Sequence, residues 1–255
     1  MSNSASRLLG VVQALNGGDA GKSALDQWIR ILQVENSVLR DEEAVSAMSA
    51  AIGEVRLVEQ HLSRLGAPPE VFAQASKFLR QAFAPTSAQG AWRDIGRQVF
   101  EGHATNPLQW AAWVIREFDQ PDIDGPVLET LLRHIEAQQK LLDAGGLTFY
   151  IHEMLQKQIE ELRSALRLYT VQGSDPLKKA YNTAVSEFMT VPEDVAKQAT
   201  PSDAIAVTKG RDVLAEAGRA AKAGTEILNF LSTWSDTAAN AIGYIMKQLP
   251  PPGGG

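Results

Sequence analysis

Residues 206–245 read AVTKGRDVLAEAGRAAKAGTEILNFLSTWSDTAANAIGYI, and this stretch carries the strongest structural pattern of the chain. Apolar or small residues recur in it at alternating steps of four and three, as they do where one helix packs along another. Twelve positions follow this spacing, and none of them is polar. Seven of the twelve are Ala or Gly, which let a neighbouring backbone approach closely. We call this set the seam, and its members are Ala206, Gly210, Val213, Ala217, Ala220, Gly224, Ile227, Leu231, Trp234, Ala238, Ala241 and Ile245.

The seam predicts a long, Ala/Gly-rich C-terminal helix over 201–249, which would measure about 70 Å at 1.5 Å per residue. Each interior glycine costs a helix about 1 kcal/mol relative to alanine, so a break near Gly224 is the alternative. Residues 250–255 are PPPGGG, which cannot continue a helix and predict a flexible tail. Because an Ala-rich helix buries little apolar area, we also expect this helix to be detachable from the remainder of the molecule.

The rest of the chain shows helical periodicity and no series of alternating β-branched runs joined by hairpin turns. The sequence therefore predicts an all-α, multi-helix array. Its expected parts are an N-terminal helical domain (1–118), an acidic linker (119–125) and a long-helix C-terminal region (126–249). Within the first part we expect a second helix over 23–39 and a third one capped by Asp41.

Two long helices are predicted directly after the linker, over 126–143 and 147–170. Gly145 and Gly146 separate them and supply the backbone conformations of a tight turn. A short connection between long amphipathic helices predicts an antiparallel helical hairpin.

Composition limits the classes of function. The 255-residue chain has a formal charge of −6, and neither half is basic, so nucleic acid is not an expected partner. It contains no cysteine, which excludes disulfides, thiolate metal sites and a cysteine nucleophile. Residues 1–10 lack a signal-peptide pattern and no run of about 18 apolar residues occurs, so we expect a cytoplasmic protein.

Three stretches are similar to sequence motifs of ligand-binding or catalytic sites, but they do not have the residue spacing that those motifs require. In GGDAGKS (17–23), Asn16 occupies the position of the required first glycine of a phosphate-binding loop, so an interhelical turn with Ser23 as a helix cap is expected. Around Asp122 and Asp124, the position that should hold a calcium-binding Glu is Leu131. Gln156 stands where a zinc-protease helix starting at His152 needs its second histidine.

These failures leave no predicted catalytic, cofactor-binding or metal-binding residue, although an enzyme with an unrecognised site stays open. The favoured function is a non-enzymatic helical scaffold or adaptor that assembles with itself or docks on a larger partner through its C-terminal helix. We also predict that Trp113 is an exposed anchor for a partner. It lies one residue away from the apolar helix face formed by Trp110, Val114 and Phe118. The predicted interface residues are Val213, Ile227, Leu231, Trp234, Ile245 and Trp113.

The alternative is a membrane-acting effector whose C-terminal segment is released onto a bilayer. Small seam residues, Trp234, Tyr244 and the low charge after Glu226 would all suit a helix at a membrane interface.

Overall fold

The structure, a computed structural model, describes residues 2–34, 38–99, 103–191 and 200–223. The chain is an all-α multi-helix array, as predicted, and the described residues contain no strand, only isolated bridges between Ser2 and Gln120 and between Ser23 and Ala91. The α-helices within these ranges are α1 (Ser4–Asn16), α2 (Ala24–Leu32), α3 (Arg40–Arg64), α4 (Glu70–Ala82), α5 (Trp92–Gln98), α6 (Thr105–Val114), α7 (Gly125–Asp143), α8 (Phe149–Gln172), α9 (Asp175–Met189) and α10 (Pro201–Ala223).

The chain divides into two compact units. The N-terminal unit comprises 1–121 together with 167–173, and the C-terminal unit comprises 122–166 and the residues from 174 onward. The division after Pro121 falls inside the stretch that was predicted as a linker. The last six residues of α8, from Arg167, belong to the N-terminal unit, which no pattern in the sequence predicted.

Large aromatic residues fill the core of the N-terminal unit. Trp28, Phe83 and Trp92 are fully buried there. The rings of Trp28 and Phe83 meet edge to face, with centroids 5.5 Å apart, which is a favoured geometry for aromatic pairs. Aliphatic residues from α1, α3, α4 and α6 surround them in one continuous core.

The second and third helices differ from their predicted ends. α2 stops at Leu32 instead of reaching residue 39, because Gln33 adopts a left-handed conformation with φ +57° and its N–H bonds back to Arg30 and Ile29. Asp41 lies in the first turn of α3, which begins at Arg40 with no side-chain cap. An acidic residue in the first turn still favours the helix through its dipole.

The segment 167–173 closes the N-terminal unit. Val171 is fully buried in its core, and Arg167 forms an ion pair with Glu43 of α3. Gly173 ends the segment at φ +68°, and an added Cβ there would lie 3.1 Å from the Arg7 guanidinium. The left-handed conformation favours glycine at this position, and a larger residue would also push the Arg7 side chain aside.

The C-terminal unit is a bundle of α7, α8, α9 and α10. An added Cβ at Gly210 of α10 would lie 2.9 Å from Leu155 of α8 and 3.5 Å from Phe188 of α9, whereas Gly218 faces Tyr181, nearer the start of α9. α10 is consequently antiparallel to α9, and it also contacts α8 at Leu155.

Candidate interaction site

The seam of the C-terminal helix is buried wherever the structure describes it. Ala206, Gly210, Val213, Ala217 and Ala220 are all buried. They face the chain's own helices, since α10 packs on α7 and α9 and also contacts α8. The part of the helix over 201–223 is thus an integral member of the bundle, which differs from the expectation that the whole helix is detachable.

The small seam residues explain why α10 is an integral member of the bundle although its side chains offer little apolar area to bury. At Gly210, a methyl group would overlap the end of the Leu155 side chain, so the space that a side chain would need is already filled by α8. Close packing of this kind maximises dispersion contacts for every residue around it. Counting the apolar area of α10 alone misses that contribution.

Polar contacts fix the register of the bundle. The Gln138 side chain is buried on α7, and its Nε2 donates a hydrogen bond of 3.0 Å to the carbonyl of Ala206 on α10. Gln158 of α8, also buried, donates to the carbonyl of Ala184 on α9 at 3.5 Å. A buried amide that loses its partner costs free energy, so these bonds favour one alignment of the helices over its neighbours.

Asp203 fastens the start of α10 to the turn between α7 and α8. This fully buried carboxylate accepts from the backbone N–H of Thr148 at 2.9 Å and from the backbone N–H of Thr200 at 2.6 Å. The hydroxyl of Thr200 in turn accepts from the Asp203 N–H, which completes a reciprocal cap. Sequence reasoning missed this residue, although the Thr200-x-x-Asp203 spacing matches a capping box.

Two partner helices of α10 begin near the level of its last described residues. Tyr181 faces Gly218, and α9 begins only six residues before Tyr181. Gln138 bonds to Ala206, and α7 begins thirteen residues before Gln138. The third partner, α8, continues to Gln172, and its part from residue 167 is counted with the N-terminal unit.

The structure places two of the six predicted interface residues. Val213 is 3% exposed inside the C-terminal bundle, whereas Trp113 is 65% exposed on the N-terminal unit, with the Arg116 guanidinium 5.1 Å from its ring centroid. These two residues belong to different units, so neither unit brings them together. Ile227, Leu231, Trp234 and Ile245 lie outside the described residues, as do the possible break at Gly224 and the predicted tail.

The stretch similar to a phosphate-binding loop is a turn between α1 and α2. Ser23 caps α2 by accepting from the Asp26 N–H, as the sequence predicted. The Lys22 carbonyl accepts from the Trp92 N–H at 2.8 Å, and the Ala20 carbonyl accepts from Arg93 at 2.9 Å. The backbone of this turn is therefore engaged in holding α5.

Two histidines, His61 and His152, contact neighbouring side chains of the protein itself. His61 stacks on Phe118 with ring centroids 4.1 Å apart, and burial, helped by the charges of Arg64 and Arg7, lowers the pKa of its imidazole. His152 lies beside the carboxylate of Glu153 on α8, at 3.5 Å. In the four described ranges, no three His, Asp or Glu side chains converge in a way that would hold a metal ion.

No helix in the described part of the chain combines the length and the apolar character needed to cross a membrane. Comparisons of the chain with family models, with curated proteins and with solved structures find no match.

Proposed function

We propose that this protein is a non-enzymatic helical scaffold or adaptor of the cytoplasm. Its seam is divided between two tasks. The first half, 206–220, holds the C-terminal bundle together, and the second half, 227–245, packs against a helix of a second copy or of a larger protein partner.

The level at which α7 and α9 begin supports this division. The heptad spacing continues in the sequence for three further heptads beyond residue 224, to Ile245. α7 and α9, the helices on which α10 packs, begin near the level of the last described residues of α10. A seam that continues beyond this level would therefore need a packing partner other than α7 and α9.

Residue size supports the same division. The buried first half of the seam uses Ala, Gly and Val, whereas the second half adds Ile227, Leu231, Trp234 and Ile245. Larger side chains bury more apolar area in a contact, and Trp is among the residues that contribute most to the binding energy of protein interfaces. Asn229 and Asp236 fall on the side opposite the seam, as expected for a helix with one packing face.

The test compares two single substitutions in the full-length protein. Leu231→Asp puts a charge on the seam, whereas Asn229→Asp adds the same charge on the opposite side. Light scattering after size-exclusion chromatography should show a self-assembled wild type, a dissociated Leu231→Asp variant and an unaffected Asn229→Asp variant. An assembly that tolerates both substitutions would contradict docking through this seam.

If the wild type is monomeric, the same pair of variants should separate binding from non-binding to a co-purified protein. Flotation with vesicles of anionic phospholipid tests the membrane alternative. Binding to vesicles that requires Leu231, in the absence of any protein assembly, would favour the membrane-acting function over the scaffold.

A further inference from the structure

A groove of about 470 Å³ lies along α3 and α4 in the N-terminal unit, away from the seam. Its lining consists entirely of polar and charged side chains, namely Arg56, Glu59, Gln60, Ser63, Arg64 and Arg80. Three arginines face one carboxylate, so the groove carries an excess of positive charge in a protein whose net charge is −6. Such a local reversal of sign attracts anions.

The single carboxylate of the groove is already engaged. Oε1 of Glu59 accepts from the Ser76 hydroxyl, and Oε2 accepts from Arg80, each at 2.5 Å. Ser76 is itself buried and also accepts from Nε of Arg80 at 3.1 Å. These bonds hold the Arg80 guanidinium in place, which reduces the entropy that it would lose on binding a ligand.

The other two arginines of the groove lack partners of their own among the described residues. Arg56 and Arg64 are exposed, and neither forms an ion pair or a hydrogen bond within the part of the chain that the structure describes. Gln60 and Ser63 lie between them on α3 and add an amide and a hydroxyl donor. The groove is thus rich in hydrogen-bond donors, and the carboxylate among its lining residues, Glu59, already accepts hydrogen bonds from Ser76 and Arg80.

The spacing of the arginines selects the length of the ligand. Arg56 and Arg64 are two turns apart on α3, which is about 12 Å along the helix axis, with Glu59 and its partner Arg80 between them. A ligand with several linked anionic groups can contact all three guanidinium groups at once, whereas a single phosphate or sulfate offers fewer contacts. Guanidinium groups bind phosphoryl oxygens through paired hydrogen bonds, so a row of them matches a chain of phosphoryl groups.

We propose that this groove binds a small molecule with several linked phosphoryl groups, such as a nucleoside triphosphate or an inorganic oligophosphate. Its volume lies within the range of small-molecule sites, whereas a folded partner would need a larger contact area. The site is independent of the seam and of the docking function proposed for it.

Isothermal titration calorimetry of the full-length protein with tripolyphosphate at 0.15 M salt provides the test. We expect saturable binding to the wild type and at least about tenfold weaker binding to Arg56→Gln/Arg64→Gln, because each lost charged hydrogen bond costs about a factor of ten. Arg133→Gln/Arg211→Gln, which removes two exposed charges from the C-terminal unit, should bind like the wild type. Circular dichroism should show equal helix content in all three proteins.

Parallel titrations with ATP and with a glutamate-rich peptide identify the ligand class. Binding of ATP that exceeds that of tripolyphosphate and depends on Arg56 and Arg64 would indicate a nucleotide, and equal binding would indicate the phosphoryl chain alone. The proposal is overturned if tripolyphosphate does not saturate the protein, if both double variants weaken binding equally, or if the acidic peptide binds more tightly.

Discussion

The N-terminal unit fills the space between its helices with large side chains, whereas the C-terminal unit brings its last helix close to its neighbours through small ones. Trp28, Phe83 and Trp92 occupy the centre of the first unit, and Gly210, Ala217 and Gly218 line α10 in the second. A core of large side chains is sensitive to lost volume, and a closely packed seam is sensitive to added volume. The two units should therefore respond to opposite kinds of substitution.

The largest effect is expected from removing volume in the N-terminal unit. Trp28→Ala should lower the free energy of unfolding by about 3–5 kcal/mol, because it leaves a cavity beside Phe83. Urea denaturation followed by circular dichroism measures the change. Trp113→Ala is the matched control, since this exposed side chain loses only its contact with Arg116, worth about 0.5–1 kcal/mol. Equal effects of the two substitutions would contradict an N-terminal core centred on Trp28.

A smaller effect is expected from adding volume in the C-terminal unit. Gly210→Leu should cost about 1–3 kcal/mol in urea denaturation, because the new side chain would meet Leu155 and Phe188. Ala215→Leu adds a similar side chain on the exposed side of α10 and should change stability by less than about 0.5 kcal/mol. If the Gly210→Leu variant were as stable as the Ala215→Leu control, this would contradict close packing of α10 at Gly210.

The smallest effect concerns charge between α8 and α9. Burial, together with the charge of Glu187, raises the pKa of Glu161, while Lys157 and Lys179 oppose the shift. A raised carboxyl pKa means that the folded state holds the proton more tightly than the unfolded state, so this group's stabilising contribution is present at low pH and is lost as pH rises through the folded pKa. Glu161→Gln should therefore raise the melting temperature slightly at pH 7 and leave it unchanged near pH 3. A lower melting temperature at pH 7 would show that the ion pair with Lys157 outweighs burial.

The all-α class could be predicted because helical periodicity survives in almost every segment. Ser23 was also predictable as a cap, since its capping interaction with Asp26 is local in sequence. The end of α2 was not predictable, because the left-handed turn at Gln33 uses a residue with no special preference for that conformation.

Sequence reasoning identified the seam but not its partners. Heptad spacing shows that Val213 packs against a helix, yet only the three-dimensional contacts reveal that the described half of the seam packs against α7, α8 and α9. The arginine groove was also missed, because Arg80 lies on a different helix from Arg56 and Arg64. Their separation in sequence conceals a cluster that exists only when α3 and α4 pack together.

Because residues 167–173 belong to the N-terminal unit, they determine when this unit can finish folding during protein synthesis. A ribosome that has released only residues 1–121 has not yet supplied Val171 to the core or Arg167 to Glu43. Domains commonly fold in order of emergence from the ribosome, but this first unit is completed only after α7 and α8 have been made. The nascent chain must keep an incomplete N-terminal core in solution for about fifty further residues, at about 5–20 residues per second, which gives chaperones a window of several seconds in which to bind it.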